Sequence, residues 1–178
     1  MKWIIIDEDY LNYLRKIENK IPYSNYGKDK FKPFFGELFT VGELTYVSQI
    51  SHKQPRHESL KNSLDFYKIF IPDTKNIGKD RFVAVVNLNY MFPIKRSMIH
   101  YLDFSKIDEC RSFINNTEKS QYIDLLQKEM LAINKLDLPN KANKLYELKK
   151  NYPEDRISSR CLNFLELEKY AKAYIFNK

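Results

Sequence analysis

The chain has 178 residues, of which 43% are hydrophobic and 15% aromatic, so it can build a buried core and is not disordered over most of its length. Thirty Lys and Arg against 23 Asp and Glu give a formal net charge of +7, which favours a polyanionic partner such as nucleic acid. This length predicts a single domain over residues 1–178. Because no apolar run is long enough for a signal peptide or a membrane helix, we expect a cytoplasmic protein that does not enter membranes.

The chain before residue 105 is predicted to be mostly β-structure, because β-branched and aromatic residues recur in short runs. A helix over residues 7–18 interrupts it, with Asp7 and Asp9 as caps. The apolar run 81–86 predicts a central strand, and residues 87–93 are predicted to form an irregular or helical turn. The predicted strands cover residues 2–6, 34–41, 44–50, 64–71, 81–86 and 98–104.

Helical spacing of apolar residues predicts four further helices, over residues 106–114, 118–136, 140–151 and 163–176. One side of the second of these carries Tyr122, Leu125, Leu126, Glu129 and Ile133. Strands followed by helices indicate an α+β fold. Short strands joined by turns predict a small curled antiparallel sheet or barrel that removes its own edges, with the additional helices mostly C-terminal.

The stretch LTYVSQISHKQPRH, residues 44–57, concentrates candidate catalytic groups at the end of a predicted strand. A hydroxyl, two imidazoles and two cations occur within seven residues, and the stretch contains no acidic residue before Glu58 follows it. These groups suit phosphate chemistry, because imidazole transfers protons near neutral pH and cations attract phosphate oxygens. The candidates are Ser51, His52, Lys53, Arg56 and His57.

Residues 22–33, PYSNYGKDKFKP, form a predicted loop that we call the tyrosine–lysine loop. Its tyrosines suit stacking of unpaired bases, and its lysines suit phosphate contacts. An exposed, solvated loop without this role is the alternative. The residues concerned are Tyr23, Tyr26, Lys28, Lys30 and Lys32.

A lysine-rich segment follows between residues 135 and 150. It either forms a solvated helix face or one wall of an RNA groove, with Tyr146 as an accompanying aromatic residue. The lysines assigned to RNA binding in the second reading are Lys141, Lys144, Lys149 and Lys150.

Five segments in sequence order carry a resemblance to a known family: YLNYL, KPFFGELF, VSQISHKQPRH, VVNLNYMFPI and CLNFLELEKYAKAY. The chain resembles the toxins of type III toxin–antitoxin systems, the ToxN, AbiQ and CptN group. The resemblance implies a curled sheet similar to the Kid and MazF toxins, and endoribonuclease activity without a metal or other cofactor. It also implies inhibition by a small repeated pseudoknot RNA that the toxin trims and binds in a closed ring. Cellular or phage RNA would be the substrate, and abortive infection the outcome.

Within this resemblance, four residues match positions of the family's site. Lys32 stands where the family has a lysine before a strand, and Ser51 holds the first hydroxyl position. Lys53 lies within one position of the next family lysine, and His57 matches the family histidine.

The sequence departs from the family pattern at two positions. His52 replaces the second hydroxyl, and Lys28 stands four residues before Lys32, where the family has tyrosine. Tyr26 is therefore the candidate for the tyrosine role, six residues before Lys32.

The chemistry implied is attack of the RNA 2′-hydroxyl on the adjacent phosphorus, which leaves a 2′,3′-cyclic phosphate. We assign Lys32 and Lys53 to charge stabilisation, Ser51 to orientation of the phosphate, and His52 or His57 to proton transfer. No His, Asp and Glu cluster has metal-ligand spacing. A non-catalytic RNA-binding module, or a toxin of the same fold that acts on a protein target, remains open as an alternative.

Overall fold

The structure is a computed structural model and describes residues 1–175. Its strands are β1 (Lys2–Ile5), β2 (Phe34–Gly36), β3 (Thr40–Val41), β4 (Leu44–His52), β5 (Phe66–Pro72), β6 (Asp80–Asn87), β7 (Phe92–Lys95) and β8 (His100–Tyr101). Its α-helices are α1 (Glu8–Arg15), α2 (Pro55–Ser59), α3 (Asn116–Asn134), α4 (Leu138–Asn151) and α5 (Phe164–Ala173). Short 3₁₀ helices cover Leu88–Tyr90, Arg96–Met98, Phe104–Glu109 and Ser158–Arg160.

The strands form one antiparallel sheet organised around β4. Its main order is β5-β6-β4-β2-β1-β8, while β3 and β7 also pair with β4. The first half of β4 pairs with β3 and β7, and its second half pairs with β2 and β6. The predicted curled antiparallel sheet with mostly C-terminal helices is confirmed.

Two details of the predicted sheet are wrong. Among residues 1–175 the sheet does not close into a barrel, because β5 pairs with no strand other than β6 and the short β8 with none other than β1, so two edges remain. The strand predicted over residues 81–86 is not central. It becomes β6, which lies second from the β5 edge, whereas β4 is the strand with the most partners.

Several predicted elements change in length or type. The strand predicted over 34–41 divides into β2 and β3, because the chain leaves the regular ladder at residues 37–39. The strand predicted over 98–104 is reduced to β8, and the predicted turn 87–93 ends in the unpredicted strand β7.

The helix predicted over 106–114 is wrong. A kinked 3₁₀ helix ends at Glu109, and the chain then runs outward so that the Ser112 N–H donates to the Lys28 carbonyl oxygen at 2.7 Å. This tertiary contact replaces the intrahelical bonds that an α-helix would need there.

The three long C-terminal helices are confirmed, and capping side chains mark the start of α3 and of α5. Asn115 accepts a hydrogen bond from the Glu118 N–H at the start of α3, and Asn163 accepts one from the Glu166 N–H at the start of α5. The last predicted helix extended to Phe176, which lies outside the described residues. Among residues 1–175, no helix combines the length and apolar character needed to cross a membrane.

An aromatic cluster fixes the first half of β4 against the C-terminal helices. The Tyr46 ring stacks on Phe39 at 4.5 Å between centroids, and the Tyr46 hydroxyl donates to the Glu168 Oε1 at 2.8 Å. Tyr146 packs on the same ring and is only 4% exposed. The hypothesis that Tyr146 stacks RNA bases is therefore wrong, because its ring belongs to the core that anchors β4.

Candidate active site and RNA interface

Ser51 and His52 are the last residues of β4, at the end of the strand opposite to the one that packs against the C-terminal helices. They pair with Val85 and Ala84 of β6, so the strand continues past residue 50, where the prediction ended it. Successive side chains of a strand point to opposite faces. Ser51 accordingly lines cavities on one side of the strand end, and His52 lines a cavity on the other.

The side chain of Gln49 holds the tyrosine–lysine loop against β4. Its Nε2 donates to the carbonyl oxygens of Tyr23 at 2.8 Å and Lys32 at 2.9 Å, near the two ends of the loop. From α1, Arg15 Nη1 donates to the Pro22 carbonyl oxygen at 2.9 Å. These bonds bring Lys32 beside Ser51, although the two residues lie on separate segments.

Lys32 and Ser51 line the same cavity, which has a volume of about 350 Å³ and which we call the Ser51 cavity. The Lys32 Nζ lies 5.0 Å from the centroid of the Tyr26 ring, and Tyr26 lies 5.8 Å from Tyr23. Both tyrosine rings are about half exposed. Burial lowers the pKa of Lys32 and raises the pKa of Tyr26. A cation, a hydroxyl and two accessible rings therefore meet in one place, which suits a phosphate flanked by unpaired bases.

His52 lies on the opposite side of the strand end, in a cavity that Lys32 also lines. Burial, and then the charge of Lys32, hold the pKa of His52 below its usual value. The imidazole is therefore neutral at physiological pH and able to accept a proton.

His57 has a structural role at the start of α2. Its ring is 5% exposed, its Nδ1 accepts a hydrogen bond from the Gln54 N–H at 3.1 Å, and it packs edge-on against Phe66. Burial lowers the pKa of His57, followed by the charges of Arg56 and Lys68. Of the two histidines considered for proton transfer, His52 is the one whose neighbour is Lys32.

Lys53 lies apart from the other candidates. Its Nζ is 3.8 Å from the Glu58 Oε1 and 5.7 Å from the centroid of Phe82, and it lines none of the cavities that contain Ser51 or Lys32. Its assignment to charge stabilisation stays a prediction.

A second cavity beside Ser51, of about 730 Å³, concentrates arginines, and we call it the arginine cavity. Arg56 lines it as part of α2, together with Arg156 and Arg160 from the segment after α4. Arg160 forms an ion pair with Asp65 at 3.0 Å. Sequence reasoning identified Arg56 and missed the other two arginines, because only the fold brings their segment to Ser51.

The remaining predicted RNA-binding lysines are distributed over separate surfaces. Lys30 lines the His52 cavity, and Lys28 is exposed on the tyrosine–lysine loop. On α4, the Lys141 Nζ lies 4.2 Å from the Tyr67 centroid and Lys144 is exposed. Lys149 and Lys150 line a further cavity that none of the candidate catalytic residues reaches.

Other residues at the site gave no clear sequence signal. Asn87 and Tyr90 line both cavities that contain Ser51, and Arg111 and Glu129 line the cavity of His52. Only Glu129 carried a hint, as a carboxyl group on the apolar side of a predicted helix. Within residues 1–175, no three His, Cys, Asp or Glu side chains cluster closely enough to hold a metal ion.

Comparison with known proteins identifies the family of the chain. The profile of a family described as "Toxin ToxN, type III toxin-antitoxin system" matches residues 2–172. Endoribonuclease ToxN of Bacillus thuringiensis subsp. kurstaki is 24% identical over 180 aligned positions, covering 97% of this chain and 84% of the relative.

Two solved toxin structures share the fold. One, from a type III system in which a non-coding RNA pseudoknot inhibits the toxin, has a TM-score of 0.74 at 20% identity, covering 97% of this chain and 96% of the other. The other is AbiQ, a lactococcal anti-phage endoribonuclease, with a TM-score of 0.72 at 18% identity and the same coverage. The protein is a toxin of the type III toxin–antitoxin class. Within that class, the chain belongs to the ToxN toxin family.

Proposed function

We propose that this toxin is an endoribonuclease that cleaves RNA at the Ser51 cavity without a metal ion. The observation that carries the proposal is the Gln49 bridge, which holds the Lys32 backbone against β4 so that Lys32 and Ser51 line one basic, aromatic-lined cavity. The relative from Bacillus thuringiensis is named an endoribonuclease, and so is AbiQ.

The reaction uses Ser51 and Lys32 of the Ser51 cavity together with His52, which lies on the opposite side of the strand end in a cavity that Lys32 also lines. The 2′-hydroxyl oxygen forms a bond to phosphorus while the bond from phosphorus to the 5′-oxygen breaks, which gives a 2′,3′-cyclic phosphate and a 5′-hydroxyl. His52 takes the 2′-hydroxyl proton, and a water molecule protonates the 5′-oxygen as it leaves. Lys32 stabilises the negative charge of the phosphorane, with Lys53 as a further cation. Ser51 donates a hydrogen bond to a non-bridging oxygen, and Tyr26 positions the adjoining nucleotide.

The partner that fits this surface best is a folded RNA antitoxin. The related structure with an RNA pseudoknot inhibitor supports the same kind of partner here. We propose that this chain trims a small repeated pseudoknot RNA, assembles with it into a closed ring, and is inhibited because the RNA covers the Ser51 cavity. Residues 1–178 act as one catalytic unit in the cytoplasm, where cellular and phage RNA are the substrates.

Cleavage should persist in excess EDTA. The mechanism draws its proton transfer and charge stabilisation from side chains, and residues 1–175 provide no metal-ligand cluster. The measurement is the rate of cleavage of a single-stranded RNA by purified toxin, with and without EDTA, followed by analysis of the 3′ ends for cyclic phosphate. Loss of cleavage in EDTA with recovery on adding Mg²⁺ would contradict the mechanism.

Charge reversal of Lys144 and Lys149 together, K144E with K149E, should weaken antitoxin binding and leave cleavage of a short RNA nearly unchanged. Both lysines lie on α4, whose C-terminal end leads to Arg156 and Arg160 at the arginine cavity. If both contact phosphates, the slope of log K against log salt should become shallower by roughly one to two units. The measurement is a salt titration of affinity for the antitoxin RNA. An unchanged slope would assign these lysines to a solvated helix face.

A further inference from the structure

A cavity of about 670 Å³, which we call the α3 cavity, lies beside the Ser51 cavity, between the tyrosine–lysine loop, the end of β4 and α3. It is the cavity of His52. Its walls are largely apolar, with Phe31, Pro33, Ile50, Leu125 and Leu126 among them. Polar and charged side chains, Arg111 and Glu129 among them, interrupt the apolar walls. A cavity of this size in which apolar walls bury a ligand and polar groups orient it is typical of a site for a small ligand or part of a larger one.

Glu129 is the polar group in this cavity that the fold leaves unexplained. It is only 2% exposed, and no protein donor within residues 1–175 forms a hydrogen bond or ion pair with its carboxyl group. Burial raises the pKa of Glu129 to about 7, against the opposing charge of Arg81. The Glu129 oxygens are not among the side-chain atoms of residues 1–175 that are sealed from solvent, so the carboxyl group faces the cavity. A ligand that enters the cavity can supply the hydrogen-bond partner that the protein does not provide.

The cavity also has a flat, polarisable wall. The Arg111 guanidinium lies 4.4 Å from the Tyr122 ring centroid and 5.0 Å from that of Phe113, and the Arg111 Nε is buried without a hydrogen-bond partner in residues 1–175. The Tyr122 hydroxyl is fixed by donation to the Phe31 carbonyl oxygen at 2.7 Å. Planar walls of this kind suit a planar ligand, as aromatic side chains and Arg do when they stack RNA bases.

The α3 cavity is coupled to the proposed cleavage site through shared residues. Lys32 and Tyr26 line both the α3 cavity and the Ser51 cavity. Because Lys32 lines both, a phosphate held by Lys32 would lie next to the α3 cavity, and an adjoining nucleoside is the group that could enter it.

We propose that the α3 cavity is a nucleobase subsite, in which Glu129 pairs with the edge of one unpaired, amino-bearing base next to the cleaved phosphate. This inference rests on the proposed function. Adenine, cytosine and guanine each present an amino group beside a ring nitrogen, whereas uracil presents one N–H between two carbonyl oxygens. A carboxyl group accepts from the amino group, and it either donates to an unprotonated ring nitrogen when neutral or accepts a second N–H when ionised. With a pKa near 7, Glu129 reaches both forms.

The test has two independent readouts, performed on wild type and on Glu129→Leu and Glu129→Gln. The first is binding of the four nucleoside 3′-monophosphates in EDTA. The second is kcat/KM for pairs of single-stranded RNAs. The two members of a pair carry uracil or an amino-bearing base at one position next to the cleaved bond, and each side of the bond is tested. We expect wild type to prefer amino-bearing bases to uracil by roughly 5- to 150-fold in binding, and in cleavage at one position.

The two variants separate the pairing from other effects. Glu129→Leu should reduce the preference to less than about threefold, because it removes every hydrogen bond to the base edge. Glu129→Gln keeps the side-chain shape and offers one acceptor and one donor. It should keep the preference for adenine and cytosine, which need both, and lose that for guanine, which needs two acceptors. Glu147→Gln, an exposed residue of α4, is the matched control and should change neither readout.

Failure of the subsite and failure of the proposed function give different results. A wild type that cleaves RNA without base preference at any position, or a Glu129→Leu protein that keeps the preference, would overturn the subsite and leave the endoribonuclease assignment intact. If Glu129→Leu does not fold, Glu129→Gln decides. A preference for guanine over uracil as large as that of wild type would then overturn the subsite. A wild type that cleaves no RNA would contradict the proposed function, and mononucleotide binding would still decide the subsite.

Discussion

Replacing Ser51 by alanine is expected to lower the rate of RNA cleavage by about 10²–10³-fold, the usual loss when one preorganised donor to a developing oxyanion is removed. Ser51 sits at the end of β4 and lines the cavity that Lys32 also lines. Loss of its hydroxyl leaves the core unchanged, because the side chain is at the edge of the cavity and only partly buried. The measurement is single-turnover cleavage, which separates the chemical step from RNA binding.

Ser48→Ala is the matched control for this prediction. Ser48 lies on the same strand, and its buried Oγ has no hydrogen-bond partner within residues 1–175. Removing this hydroxyl deletes no interaction, so stability and cleavage should both stay near wild type. The assignment of Ser51 fails if well-folded Ser51→Ala cleaves RNA as fast as Ser48→Ala.

Replacing Lys32 by methionine is expected to slow cleavage by a similar factor of about 10²–10³, because it removes the cation that faces the phosphorane. It should also move the pH dependence. The charge of Lys32 contributes to the depressed pKa of His52, after burial. A neutral His52 accepts the proton, so wild-type activity should fall only as pH drops through that depressed pKa. Without Lys32 the pKa rises and the fall should begin at higher pH.

The pKa of His52 can be followed directly by an NMR titration of its ring protons in wild type and Lys32→Met. Lys75→Met, in the exposed loop between β5 and β6, is the control for loss of one positive charge and should leave both the rate and the titration unchanged. A slow Lys32→Met enzyme with an unshifted His52 would place Lys32 at the phosphate and separate it from the histidine.

Local patterns were sufficient for the parts of the fold that depend on neighbouring residues. Alternation and β-branched content predicted β4, and helical spacing predicted α3 and α4. The helix predicted over 106–114 was wrong because a tertiary hydrogen bond to the tyrosine–lysine loop outweighs local helical preference. The prediction that the sheet closes into a barrel was wrong, because short strands indicate a curved sheet but do not determine whether its two edges meet.

The candidate site was predictable where its residues are adjacent in sequence. Ser51 and His52 stood out because a hydroxyl, imidazoles and cations cluster after a strand. Their placement on opposite sides of β4 follows from strand geometry, but the cavities on each side are built by distant segments. Arg160 and Glu129 reach them only through the fold, so no local pattern could assign their roles.

The Gln49 bridge also determines where the protein can adapt to its RNA. One amide group fastens the tyrosine–lysine loop near both ends, at Tyr23 and Lys32, and an isolated bridge between Asn25 and Phe31 joins its arms. The Ser112 N–H also holds the tip through the Lys28 carbonyl oxygen, so the backbone that carries Lys32 is fastened along the whole loop. A backbone that is already ordered loses little conformational entropy when RNA binds, and adaptation to the RNA is left to the half-exposed rings of Tyr23 and Tyr26.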